Sequence, residues 1–312
     1  MKYSFLGNTG LNVSKLSFGA SSLGGVFHEV DEIIAIEAVH TALELGLNFI
    51  DVAPAYGGTR AETVLGKALV GIPRDQYFLS TKVGKNTAFV GYGDDSFDYS
   101  SAAIRRSLDD SSERLGIDYF DIVHLHDIEY NNRIHTEWAL EEGIQTLQAL
   151  KKEGRIGAIG MGMYPLDLWE RVITDGAIEV GLTHNIYCLN DNRILSLLPL
   201  ANKMGIGLIN ASPFASGLLT NRGGPVWHPA NSLERAIFAK AAMHCSNKGS
   251  DISKLAMQFS TQNPDITTTM FSSANPDSVR RNVAWSSEPI DEILLGEVLE
   301  ILSPVSNQNW NY

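Results

Sequence analysis

"NFIDVAPAYGG" (residues 48–58) opens as an apolar strand and closes in glycines. Asp51 ends the apolar run, and Tyr56 follows five positions later. A single strand end with a solvated Asp and a packed Tyr would need no further comment. The stretch matters because its pattern recurs. "KLSFGA" (15–20), "NFIDV" (48–52), "YFLSTKV" (77–83) and "YFDIVHLH" (119–126) are followed by "IGAIGM" (156–161), "VGLTHNI" (180–186), "IGLINAS" (206–212) and "ITTTMF" (266–271), eight strand candidates in all. Helical periodicity lies between them. In "DEIIAIEAVHTALELG" (31–46), Ile33, Ile34, Ala38, Val39 and Leu43 suit one apolar face. "SAAIRRSLDDSSERLG" (101–116) and "EEGIQTLQALKKEG" (141–154) read likewise, and Gly116, Gly154 and Gly205 stand as C-terminal stops.

Eight strand-then-helix units predict an α/β fold, a (β/α)8 TIM barrel forming one domain over residues 1–312. "NTG" (8–10) predicts an N-terminal hairpin ahead of the first barrel strand. "SPFASGLLTNRGGPVWHPANS" (212–232) predicts a long ordered loop after strand seven, and a tail helix is expected near 291–302. A doubly wound sheet is disfavoured: no strand runs into GxGxxG, and "FGASSLGG" (18–25) matches it poorly.

The chain has 312 residues, is 44% hydrophobic and carries a formal net charge of −12. That acidity argues against nucleic acid and against an anionic membrane surface, both of which need cationic contacts. Cys188 and Cys245 are too few for a disulfide framework, and no Cys/His cluster suggests a metal. The opening residues lack the pattern of a signal peptide, and no apolar run is long enough to span a bilayer. A cytoplasmic protein with a small-molecule substrate is expected.

In a TIM barrel, polar groups at the C-terminal ends of strands converge on one pocket. Asp51 and Tyr56 end the second strand, Lys82 the third, and His126 or His124 the fourth. Each alone reads as a solvated strand end or a satisfied core histidine; placed together they suggest chemistry. A phenol titrates too high for a neutral-pH base, and an adjacent ammonium lowers it. A carboxylate beside the lysine keeps it charged and aimed, and a histidine orients the substrate oxygen. The tyrosine then exchanges a proton with a carbonyl or carbinol oxygen while hydride moves at carbon, which requires a cofactor.

"GNTGLNVSKLSFGA" (7–20), "NFIDVAPAYG" (48–57), "STKVG" (80–84) and "YFDIVHLHDIE" (119–129) resemble, in order, the motifs of the aldo-keto reductase family. The resemblance implies a catalytic set of Asp51, Tyr56, Lys82 and His126, with His126 chosen over His124 by its spacing from "YFDI". "HDIEY" (126–130), "ASPFASGLLT" (211–220), "PVWHPA" (225–230) and "ILSPVSN" (301–307) are similar to the L-galactose dehydrogenase group of that family. This implies NAD-dependent oxidation of an aldose, L-galactose or a relative such as L-fucose, at the anomeric carbon to a lactone.

The resemblance also implies a nicotinamide cradle. Gly19 and Ala20 end the first strand; His184 or Asn185 ends the sixth, with Tyr187 expected to stack on the ring. Ser212, Pro213, Phe214, Ser216, Gly217 and Leu219 would close over the pyrophosphate. Ser272, Asn275, Ser278, Arg281 and Asn282 would hold the adenosine half. Some positions depart from the family: Gly162 and Met163 stand where many members carry Ser-Asn, and His184, or Asn185 if the register slips, where the usual residue is Gln. Ser278 stands where NADP-preferring members often carry Arg, which favours NAD, although Arg280 and Arg281 are near in sequence. Two alternatives are an NADPH-dependent reductase of small aldehydes or ketones and a non-enzymatic cofactor-sensing protein.

Overall fold

A computed structural model describes residues 1–26, 28–85 and 96–310. Strands β1 (Tyr3–Phe5) and β2 (Asn12–Ser14) pair antiparallel as the expected hairpin. Leu6 and Val13 carry it into the end of a barrel, packing with Phe49, Ile122, Val180 and Ile209. The barrel strands are β3 (Leu16–Gly19), β4 (Phe49–Asp51), β5 (Phe78–Val83), β6 (Phe120–His126), β7 (Ile156–Gly162), β8 (Val180–His184), β9 (Gly207–Ala211) and β10 (Thr268–Ser272). All eight run parallel, and β10 closes on β3. They coincide with the eight sequence candidates.

Side chains alternate across each strand. Phe49, Ile122, Ala158, Leu182, Ile209 and Met270 fill the barrel, whereas Phe18, Ile50, Leu79, Val123, Leu125 and Met161 pack outward under the helices. Helices follow the strands at Glu32–Glu44, Arg60–Leu69, Ser101–Leu115, Ile144–Lys152, Leu166–Asp175 and Leu198–Met204. Gly116 and Gly205 end two of them in the left-handed conformation. No helix among the described residues is long and apolar enough to cross a membrane.

The first helix corrects one expectation. Ile33 is 78% exposed and Ile34 is 44% exposed. The buried stripe runs through Ala35, Ala38, Val39 and Ala42 at i, i+3, i+4, i+7. Ile33 and Ile34 lie roughly 200° and 100° around from Ala35. Small residues on that stripe let the helix approach its neighbours closely, so size rather than hydrophobicity selects the inner face.

After β9 the chain forms the expected ordered loop. Its anchor is Arg235, whose guanidinium donates to the carbonyls of Gly224 (3.0 Å), Pro225 (2.8 Å), His228 (2.8 Å) and Ala230 (2.9 Å). Two helices follow, Ser232–Asn247 and Ile252–Gln262, then β10, the helix Pro276–Ser287 and the tail helix Glu292–Leu302. The tail returns to the barrel mouth: the backbone N–H of Trp310 donates to the Tyr164 hydroxyl at 3.1 Å.

Candidate active site

Interior positions near the C-terminal ends of β4, β5 and β6 carry Asp51, Lys82 and His126. Lys82 is 1% exposed and forms an ion pair with Asp51 Oδ2. Its ammonium also donates to the Val52 carbonyl at 3.0 Å, and Ser80 Oγ donates to Asp51 Oδ1 at 2.6 Å. A buried lysine with two oxygen partners is fixed in place. Tyr56 sits in the turn after β4, with its ring centroid 4.8 Å from Lys82 Nζ and 6.0 Å from the His126 ring, edge to face. The turn is set by contact with residues 20–24: a Cβ on Gly57, at φ 57°, would overlap the Gly24 carbonyl. The structure thus brings together all four residues expected from sequence.

Their electrostatics differ from expectation in one respect. Burial pushes the Tyr56 phenol up to about 12, and Lys82 pulls it down only in part. The ammonium acts in the expected direction, but desolvation of the phenolate outweighs it. Lys82 itself is raised: burial opposes its charge, but Asp51 and Tyr56 outweigh burial. Burial lowers His126 to about 3, with Asp127 opposing and Lys85 and Lys82 assisting, so the imidazole is neutral at physiological pH. Tyr56 is therefore a proton donor at rest, and His126 a neutral hydrogen-bonding group.

His124 also faces the interior, beside Lys82 in register and fully buried. Burial, with Lys82 nearby, holds it well below the usual histidine range. Gly160 lies opposite on β7, where a Cβ would overlap the His124 ring. Gly162, one of the departures noted above, lies on the same face against the Lys82 side chain, 3.7 Å from a Cβ position to Cε. Met163 is fully buried outside the barrel.

Sequence reasoning passed over two charged neighbours. Lys85 and Asp127 form a buried ion pair just beyond β5 and β6. Glu129 lies close by; its Oε1 accepts from the Tyr164 N–H at 2.8 Å, and burial and then Asp127 push its carboxyl up to about 8. The one sequence signal was "TKVGK", a second lysine three positions after the first.

The expected cofactor residues fall into three groups. His184 ends β8, half-buried, with its ring 5.4 Å from Tyr164. Asn185 follows in a left-handed conformation (φ 57°), and its amide donates to Ser216 Oγ at 2.8 Å. Ser212, Ala215 and Ser216 are left-handed too, at φ 62°, 48° and 52°. Pro213 and Phe214 lie in this loop, which is tightened by Gly217 N–H and Leu219 N–H, both donating to the Phe214 carbonyl (2.9 and 3.0 Å). Leu219 departs from expectation: its side chain is fully buried in the core and its amide is used within the loop, so neither reaches outward.

Tyr187 departs more clearly. Its ring stacks on Phe259 at 5.1 Å and its hydroxyl accepts from Asn263 at 3.0 Å, so it packs outside the barrel and not over the pocket. Tyr187 shares the parity of Thr183, whose face of β8 points away from the barrel interior, and so lies outward.

The third group lies at β3 and β10. Gly19 pairs with both Asp51 and Ser272, and Ala20 is buried beside it. Ser272 accepts from the Ser22 N–H at 2.8 Å. Asn275 caps the helix Pro276–Ser287, accepting from the Ser278 N–H at 3.0 Å, and Asn282 is buried on that helix. Arg281 donates to Ser278 Oγ at 3.1 Å, whereas Arg280 turns to Asp277 at 3.2 Å.

The sequence pattern of the aldo/keto reductase family matches residues 15–302. The chain is 41% identical to L-galactose dehydrogenase of Arabidopsis thaliana, over 98% of this chain and 95% of that one. It is 29% identical to pyridoxal 4-dehydrogenase of Microbacterium luteolum, over 92% and 93% of the two chains. Among solved structures, the holo form of an aldo-keto reductase from Bacillus halodurans superposes with a TM-score of 0.78 at 25% identity, covering 100% and 98% of the two chains.

Proposed function

We propose, for a chain that belongs to the aldo/keto reductase family and is an oxidoreductase, that it oxidises an aldose at C1 to the lactone with NAD⁺. The observation that carries this reading is the buried Asp51–Lys82 pair set against Tyr56 and His126 in one barrel mouth. L-galactose and its close relatives are the first sugars to consider, because a named L-galactose dehydrogenase is 41% identical over nearly the whole chain.

Tyr56 exchanges a proton with the C1 oxygen. Lys82 lies beside the phenol and stabilises its ionised form, and Asp51 holds Lys82 in place. Neutral His126 donates or accepts a hydrogen bond at the same oxygen. A bound nicotinamide supplies the hydride acceptor. The hydroxyls of Ser212, Ser216 and Ser272 and the positive end of the helix Pro276–Ser287 suit its phosphates. His184 and Asn185 fit its nicotinamide end. NAD⁺ is preferred because Ser278 brings no charge to a 2′-phosphate. Arg281, bonded to Ser278, is the residue through which NADP⁺ could be accepted.

A second reading is reduction of small aldehydes. A phenol held at about 12 is a ready proton donor and a scarce base at neutral pH. Spectrophotometric assays of aldoses with NAD⁺ and NADP⁺, and of short aldehydes with the reduced cofactors, separate the two. Turnover of L-galactose or L-fucose with NAD⁺ is expected; aldehyde reduction by NADPH with no aldose oxidation would establish the second reading instead.

A further inference from the structure

We propose that Lys85 and Asp127 form a substrate subsite that reads the hydroxyl next to the reacting carbon. The pair is a fixed donor and acceptor for one end of a neutral vicinal diol. This inference rests on the aldose reading above and specifies how that substrate is recognised.

The placement comes first. Lys85 lies three residues beyond Lys82, and Asp127 directly follows His126. A second lysine–aspartate pair therefore stands just outside the first, at the same mouth of the barrel. Asp127 Oδ2 takes the Lys85 ammonium, while Oδ1 stands 3.6 Å from His126 Nε2. That distance is too long for a hydrogen bond. An oxygen bound at His126 thus has a carboxylate oxygen beside it, where the neighbouring hydroxyl of a sugar would fall.

The pair is also built. Asp127 adopts a left-handed backbone (φ 54°), and its N–H donates to the Gly162 carbonyl at 2.8 Å. Non-glycine residues hold such conformations at a cost, and they concentrate at functional sites. Lys85 Nζ lies 4.5 Å from the Tyr130 ring centroid and 5.8 Å from that of Phe97, which restrains it. A buried ion pair contributes little net stability compared with apolar packing, so stability alone is a weak reason for one here.

The chemistry selects a substrate class. A carboxylate accepts from a hydroxyl and an ammonium donates to one, so together they match a polyol without net charge. Burial opposes ionisation of Asp127, but His126 and Lys85 hold it down at about 2, so it stays an anion. Glu129 adds a further carboxyl nearby. The subsite should therefore favour aldoses that carry the 2-hydroxyl over their 2-deoxy counterparts.

The test compares substrates across variants of the holoenzyme. Asp127→Asn keeps a residue that tolerates the left-handed backbone. Lys85→Met keeps the stem, and the double variant guards against an uncompensated buried charge. Melting temperatures establish that each variant is folded. For L-galactose with NAD⁺, kcat/KM should fall at least about tenfold in each single variant, chiefly through KM, as for loss of a charged hydrogen bond. Reduction of propanal, which has no neighbouring hydroxyl, should change less than about threefold. For a 2-deoxy aldose, the variants should match wild type. Equal losses on L-galactose and propanal would overturn the subsite and leave a structural ion pair. Unchanged aldose kinetics in the folded double variant would overturn it too. If the wild type oxidises no aldose at all, both the aldose reading and this subsite fall.

Discussion

Lys82→Met is the perturbation whose size follows most directly from the structure. Methionine preserves the buried stem and removes the ammonium. Asp51, 2% exposed, would keep only its bond from Ser80 Oγ. Breaking a buried pair by removing one partner costs about 3–5 kcal/mol. An independent bound comes from the alternative of protonating the stranded carboxyl. An aspartate ordinarily titrates near 3.9, so protonation at pH 7 spans about 3 units at 1.36 kcal/mol each, about 4 kcal/mol. The two figures agree. At pH 5 the second falls to about 1.5 kcal/mol, so the loss should shrink by over 2 kcal/mol on acidification. The sign is fixed: a carboxyl kept neutral in the folded variant but ionised when unfolded loses stability as pH rises. Urea unfolding of wild type, Lys82→Met, Asp51→Asn and the double variant at pH 7 and 5 measures this. For a chain of this size, 4 kcal/mol is about 6 °C in Tm. The double variant, with neither charge left, should recover at least about 2 kcal/mol relative to Lys82→Met. A Lys82→Met protein within about 1 kcal/mol of wild type at pH 7, or a double variant no better than the worse single, would refute the reasoning.

Tyr56→Phe should lower kcat by about 10²–10⁴ while leaving cofactor affinity, read by fluorescence titration, largely intact; more than about a tenth of wild-type kcat would move the acid–base role elsewhere. With the phenol at about 12, the ionised fraction rises tenfold per pH unit, so kcat/KM for oxidation should climb from pH 7 to 10; a plateau below about pH 9 would mean that charge, not burial, governs the phenol. His126→Ala should impair turnover, whereas His124→Ala should act mainly on stability and should relieve the clash introduced by Gly160→Ala; impaired turnover in His124→Ala alone, with His126→Ala active, would reverse the two assignments. NAD⁺ should exceed NADP⁺ in kcat/KM by about tenfold or more, which needs only ~1.4 kcal/mol. Ser278→Arg should improve NADP⁺ use specifically; an NADP⁺-preferring wild type that loses the preference on Arg281→Ala would make Arg281 the phosphate clamp.

The barrel was legible because each strand is a short apolar run and some of the helices between them end at a glycine stop. That Asp51, Tyr56, Lys82 and His126 would meet was legible because strand ends in this fold converge. What failed depended on burial or on backbone shape. Ile33 and Ile34 look like an inner face by hydrophobicity, yet the close-packed stripe is made of Ala35, Ala38, Val39 and Ala42. Tyr187 follows a strand end, but it has the parity of the outward face of β8, and its ring packs against Phe259. The Tyr56 phenol is raised because a sequence gives the neighbouring charges but not the degree of desolvation. Lys85 and Asp127 pair through a left-handed aspartate, for which the sequence carries no strong signal.

The acidic surface and the barrel mouth obey different rules. The chain carries a net charge of −12, yet its inner mouth holds two compensated pairs, Asp51–Lys82 and Asp127–Lys85, with His124, His126 and His184 all lowered chiefly by burial and so neutral. A single uncompensated charge there would dominate the field felt by a small substrate, because screening by water is weak in a desolvated site. Pairing removes that long-range term and keeps short-range hydrogen bonding. On the aldose reading proposed above, such a mouth would discriminate by the positions of hydroxyls more than by charge. On the proposed reading, the phosphates of a cofactor would meet the Ser212 and Ser216 hydroxyls and the positive end of the helix Pro276–Ser287 at the rim, which balance negative charge without placing another ion near the phenol.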